Sequence, residues 1–159
     1  MEGEKSYKKI RLRQAVSAVI FRGDKFFMVT GKDWPEGSWC FPQGGILAGE
    51  THFHAVEREV MEELGTDKFK ILGKSAIDHM YLFPKNIAEK KGCEGQYQTI
   101  WFVDFFGDES EIKPNKEELT QCSWFSEEDV ISSMAFPEQK ETFTKVLLEF
   151  RELRSEKIY

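Results

Sequence analysis

CFPQGGILAGETHFHAVEREVMEELGT, residues 40–66, sets a glycine-rich segment directly before a helix-patterned one. Gly44, Gly45 and Gly49 fall within residues 40–50, a composition unsuited to a regular strand or helix and suited to a backbone that bends around something. Thr51 starts a helix that runs to about Leu64, and Gly65 is a natural left-handed stop. Phe53, Val56, Val60 and Leu64, at spacings of three and four, predict one buried stripe. On the same helix Glu59, Glu62 and Glu63 stand at i, i+3 and i+4 and project from one side of one turn. Carboxylates that close repel one another, and a bound cation reverses that sign. Hard oxygen donors of this kind suit Mg²⁺ or Mn²⁺, with a diphosphate supplying further oxygens. Glu50 reaches the same region from the loop, and Arg58 is spaced to pair with one of these acids. A Glu-rich face is more often simply solvated. Its place directly after the glycine loop lifts it above that reading.

Outward from this segment, residues 15–21 and 25–30 read as strands joined by a turn at Arg22, Gly23 and Asp24. Residues 31–39 form a loop. Residues 68–78 and 80–83 are strand-rich, residues 85–96 read as an exposed charged loop, and residues 98–106 as a strong strand. An acidic loop through Asp108, Glu109 and Glu111 follows, then a short strand at 122–125. Ser126 is placed to cap a short helix over 127–131, and residues 137–153 form a terminal helix. The order predicts an α/β sandwich with a mixed sheet flanked by helices, one domain over 1–159 with its core at about 12–153.

Composition agrees. Of 159 residues, 40% are hydrophobic and 14 are Phe, so one aromatic-rich core is expected. No apolar run approaches the length of a membrane span, about 18 residues or more, and the opening MEGEKSYKKIRLR lacks the apolar region of a secretory signal. Cys40, Cys93 and Cys122 share no metal-ligand spacing, which points to a reducing, cytoplasmic setting. The net charge of −6 excludes a protein that coats nucleic acid, but not one that grips a single phosphorylated end. The densest basic run, Lys5, Lys8, Lys9, Arg11 and Arg13, is either a solvated edge or an attraction for phosphate. Lys32, in the loop before FPQGG, is placed to meet a terminal phosphate or merely water. His52 and His54 lack the HExxH arrangement of a zinc peptidase. No repeated apolar surface stripe calls for assembly, so a monomer is expected.

Residues 44–66, GGILAGETHFHAVEREVMEELGT, resemble the Nudix hydrolase signature Gx5Ex7REUxEExGU, in which U is a bulky aliphatic residue. Gly44, Glu50, Arg58, Glu59, Val60, Glu62, Glu63 and Gly65 meet it, and Thr66 departs at the last U position. The resemblance implies a Nudix α/β/α sandwich whose signature forms a loop–helix–loop. It implies hydrolysis of phosphoanhydride bonds, with Glu59, Glu62 and Glu63 as metal ligands, Glu50 and Arg58 orienting them, and Glu63 or another glutamate as base.

Outside the signature, WCFPQGG at 39–45, YLFP at 81–84, GQYQTIWF at 95–102 and KEELTQCSWFS at 116–126 are similar to bacterial RNA 5'-pyrophosphohydrolases and plant-type dinucleoside tetraphosphate hydrolases. That likeness implies that Glu118 joins the metal site or serves as base. It places Trp39, Phe41, Gln43, Gly44, Gly45 and Gln96 in motifs bordering substrate, and Tyr81 as an aromatic near the nucleotide. Two substrates remain open, a 5'-triphosphorylated RNA end and diadenosine tetraphosphate. A non-catalytic nucleotide-binding module of the same fold is the reading from a different class, disfavoured because the central glutamates are present.

Overall fold

A computed structural model describes residues 10–31, 34–114 and 119–159, the side chains of Leu119 and Thr120 excepted. Its strands are β1 (Leu12–Arg22), β2 (Lys25–Gly31), β3 (Gln43–Gly45), β4 (Phe69–Lys74), β5 (His79–Leu82), β6 (Gly95–Phe105) and β7 (Leu119–Ser126). Its helices are α1 (His52–Leu64), α2 (Lys85–Lys91), α3 (Glu127–Ser132) and α4 (Pro137–Ser155). None is long and apolar enough to cross a membrane.

Every residue of β1 from Ala15 to Phe21 is buried, as a strand covered on both faces must be. It lies at the middle of a seven-stranded sheet of order β4-β6-β1-β2-β7, with β3 added on β1 and β5 on β6. β1 and β6 run parallel, from Leu12 opposite Gly95 to Phe21 opposite Asp104, whereas the other pairs are antiparallel. The sheet is therefore mixed, as expected. Side-chain alternation sends Val16, Ala18, Ile20, Phe27 and Val29 toward α1 and Val19, Phe21, Phe26, Met28 and Phe102 toward α4, giving one apolar layer on each face. Phe150 of α4 stacks on Phe102 at 5.2 Å and tilts against Phe21 at 4.6 Å, so the second layer is aromatic-rich.

The α1 boundaries follow from the sequence. Thr51 Oγ1 accepts from the His54 N–H at 3.1 Å. Gly65, at φ +67°, donates back to the Met61 carbonyl. A Cβ on Gly65 would also overlap the Lys113 carbonyl, so close approach requires glycine as well.

Three expectations are corrected. The glycine segment does contain a strand: β3 pairs Gln43 with Ser17, Gly44 with Val16 and Gly45 with Ala15. It enters between β1 and β2 where they diverge, with the Ala18 N–H on the Pro42 carbonyl at 2.9 Å and Cys40 bridged to Val29 on the other side. Glycine keeps its peptide donors and acceptors, and its bare backbone fits where larger strands separate. Residues 85–91 form α2 rather than loop, closed by Gly92 at φ +72°, with Lys90 and Lys91 in the last turn favourable to the helix dipole. Phe53 is 45% exposed and lies edge-on to Trp101 at 6.1 Å, and Ala55 joins Val56, Val60 and Leu64 on the buried face. The stripe extends instead to two acids, Glu59 and Glu63.

Candidate active site

Arg58 organises the acidic end of α1. Its Nε and Nη2 donate to the two Glu50 carboxylate oxygens at 2.8 and 2.9 Å, a bidentate clasp. Nη2 also donates to the Gly45 carbonyl at 2.9 Å, and Nη1 donates to Glu59 Oε1 at 2.8 Å and stands 3.6 Å from Glu62 Oε1. One guanidinium thus joins the loop, β3 and the helix. Glu50 Oε1 accepts in addition from the Leu47 N–H at 3.0 Å. The Arg58 hydrogen bonds, then that backbone donor, pull the Glu50 carboxyl down to about 2. Arg58 itself is raised, first by its bond to Glu50.

Glu59 and Glu63 are almost wholly enclosed, 4% and 1% exposed, while the Glu62 side chain is 35% exposed at the rim. A Cβ on Gly44 would overlap the Glu59 carboxylate, so this strand backbone lies directly against the acid. Buried carboxylates of like charge on one helical face require nearby positive charge. Burial first, and then the charge of Glu63, push the buried Cys40 thiol far up.

The donor set fits a divalent cation in its chemistry, hard oxygens on one turn beneath a bare glycine backbone. Among the described residues no three His, Cys, Asp or Glu side chains already converge as a cation cage. Arg58 occupies part of the space between Glu50, Glu59 and Glu62. Glu118 and Lys32, both expected here, lie outside the described residues.

The structure sorts the remaining expected residues. Gln43, Gly45, Gln96 and Tyr81 share the α4-facing side of the sheet: Tyr81 is opposite Gln96, which is opposite Arg13, and a Cβ on Gly45 would overlap the Arg13 guanidinium. Phe41 is 1% exposed and packs on Phe26 and Phe143, so as a surface for substrate it is corrected to a core residue supporting the loop. Trp39 packs on Phe125 at 5.0 Å, its backbone N–H on the Ser133 carbonyl. It lines an open groove of about 470 Å³ with Lys25, Trp124 and Asp129, to which none of the α1 acids contributes. His52 Nδ1 meets Thr99 Oγ1 at 3.0 Å and His54 is exposed, so neither joins the acids.

Two neighbours of the site escaped the sequence reading. Gln98 is 1% exposed and donates from Nε2 to Gln43 Oε1. His79, opposite Gln98, is buried with Nδ1 2.8 Å from Thr142 Oγ1 of α4. The available signal was two glutamines two apart in GQYQTIWF, hence on one face of a strand that continues on that face with Ile100 and Phe102.

Comparison with known proteins bears on this geometry. Residues 11–147 match the NUDIX domain. An RNA pyrophosphohydrolase of Orientia tsutsugamushi (strain Boryong) is 32% identical over 153 residues, covering 92% of this chain and 94% of that protein. The fold is similar to that of the E. coli dihydroneopterin triphosphate pyrophosphohydrolase, with a TM-score of 0.69 at 15% identity over 89% of this chain and 99% of that one. A C. elegans Ap4A hydrolase gives a TM-score of 0.64 at 19% identity over 87% and 98%.

Proposed function

The chain belongs to the NUDIX family, and from that premise we propose that it is a divalent-metal-dependent pyrophosphohydrolase that converts 5'-triphosphorylated RNA to 5'-monophosphorylated RNA. The observation that carries this reading is the Arg58 clasp, which holds Glu50 and Glu59 against the Gly44–Gly45 strand while Glu63 is enclosed beside them. Similarity to the Orientia RNA pyrophosphohydrolase across nearly both full lengths supports RNA as the substrate.

In this reading Glu59, Glu62 and Glu63, with Glu118, hold Mg²⁺ or Mn²⁺, and Gly44 leaves room for the Glu59 carboxylate. A cation held there would supply charge neutralisation for the phosphate and would lower the pKa of the water that attacks it. Glu63 or Glu118 accepts the proton of the attacking water. Arg58 stays with Glu50 and Glu59 and fixes their direction. Lys32, Gln43 and Tyr81 bind the substrate beyond the scissile phosphate, and Gln96, 4% exposed opposite Tyr81, supports them from the floor. We further infer one catalytic domain over 1–159, monomeric and cytoplasmic, a setting supported by three free cysteines.

The net charge of −6 favours one competing substrate, diadenosine tetraphosphate cleaved to ATP and AMP, because a short dinucleotide needs no basic track. Side-by-side turnover with Mg²⁺ separates the two, using Glu63→Gln as control. Higher kcat/KM on the RNA, with a 5'-monophosphate product, is expected. Preference for the dinucleotide moves the enzyme to nucleotide clearance, and turnover of neither ends the reading.

A further inference from the structure

The α4-facing side of β3 carries a donor-rich counterpart to the acids. Gln43 and Gly45 face this side, and Gly44 between them faces α1 and Glu59. Gln98 is enclosed in the floor, whereas Gln43 is half-buried at its edge. The Gln98 Nε2 donates to Gln43 Oε1. A carboxamide has one oxygen and one NH₂ group, so engaging its oxygen from below turns its NH₂ outward. Two residues along the same face, the Arg13 guanidinium lies against Gly45 and offers only donors. Two donor groups on one face of the sheet, one of them cationic, fit an anionic phosphate oxygen. They fit poorly to a group that must donate.

We propose that Gln98 is a positioning residue: by donating to Gln43 it fixes the Gln43 carboxamide with its NH₂ group presented to a phosphate oxygen of the substrate. This deepens the proposed function and rests on it for the identity of the substrate. Gln98 itself stays beneath the surface and acts through Gln43. The assignment has a chemical consequence that a packing role lacks. In Gln98→Glu the ionised carboxylate only accepts, so the Gln43 amide rotates and turns its oxygen toward the phosphate. When protonated, the same carboxyl donates again and restores the original direction, and burial raises the pH at which it does so.

The experiment combines turnover with a direct view of the amide. On 5'-triphosphorylated RNA, Gln98→Glu and the volume-conserving Gln98→Met each raise KM by about tenfold, the scale of one hydrogen bond to a charged group. The ratio of Gln98→Glu to wild-type kcat/KM recovers as pH falls, and Gln43→Ala adds no further loss to Gln98→Met. Thermal unfolding of Gln98→Met verifies that the fold persists. In ¹⁵N spectra, a methylene-bridged triphosphate with Mg²⁺ shifts the side-chain NH₂ signals of Gln43, identified by their loss in Gln43→Ala. At neutral pH those shifts are lost in Gln98→Glu. Unmoved Gln43 signals in the wild type, a flat ratio against pH, or fully additive losses overturn the proposal. Wild-type inertness toward both RNA and diadenosine tetraphosphate sinks the proposed function instead, and the amide signals still decide the part played by Gln98.

Discussion

The two sides of β3 solve different problems with the same three residues. Toward α1, Gly44 presents bare backbone to Glu59, and a single arginine holds the charge together. Toward α4, Gln43 and Gly45 border a floor that holds the buried Gln96 and Gln98, 4% and 1% exposed, and Gln98 reaches Gln43 by a hydrogen bond between neutral amides. On the proposed function, the difference teaches how a short strand separates chemistry from recognition. Among the described residues the charged side converges on Arg58 and is the more brittle. The amide side distributes its direction over cross-strand pairs, so single changes there are expected to retune rather than abolish.

Removing the arginine tests the brittle side hardest. Arg58→Met leaves Glu59 enclosed without its guanidinium, for which a stability loss of about 3 kcal/mol is expected, together with loss of turnover. The pH dependence carries a sign. Glu50 in the fold titrates near 2 rather than its usual 4.5, so its contribution is full above 4.5 and is lost as pH falls through 4.5 toward 2. In Arg58→Met that acid branch flattens. Denaturant unfolding between pH 7 and 3 measures both effects, and a wild-type acid slope surviving in the variant would show that Arg58 is not the source. Gln98→Met over the same range is expected to leave the slope unchanged, which sharpens the contrast between the sides.

Gly44→Ala comes next in size. The new methyl group must displace the Glu59 carboxylate, and misplacing a catalytic group by about 1 Å costs about 10²-fold in kcat. KM is expected to change far less. An equal rise in KM with kcat preserved would mean that Glu59 has no part in the chemical step.

The charged side was the legible one. Glycines followed by acids at i, i+3 and i+4 reveal a loop poised over a helical face, and the structure gathers Gly44, Gly45, Glu50, Arg58, Glu59 and Glu62 as that pattern requires. The central strands were legible from their apolar runs. The amide floor was not, because Gln43, Gln98 and His79 are brought together by a parallel crossover and a late hairpin, which no local periodicity encodes. Helix α2 was hidden for a different reason: its charges mimic a solvated loop, and Gly92 supplies the stop only once Pro84 has set the start. Phe41 was assigned to substrate by its motif, but the local sequence cannot tell an aromatic that faces a cleft from one that underpins it.

The smallest expected effect lies in His79, which ties the amide side to α4. Its ring is enclosed beside Tyr81, 5.3 Å between centroids, and Phe143, with Nδ1 on Thr142 Oγ1. Burial depresses its basicity below the usual 6.5, against a smaller opposing pull from Glu138. The unfolded chain therefore takes up a proton that the folded chain declines, and stability falls as pH drops through 6.5 until the folded ring is protonated too. His79→Asn, which keeps a polar partner for Thr142 but cannot titrate, is expected to cost about 1 kcal/mol near neutrality and to remove that slope. Melting temperatures from pH 8 to 5 provide the measurement. If the variant keeps the wild-type slope, another group titrates, and the link between the amide floor and α4 is mechanical rather than electrostatic. If the slope goes while KM for substrate stays constant, His79 supports the floor without setting its direction, which leaves that task to Gln98.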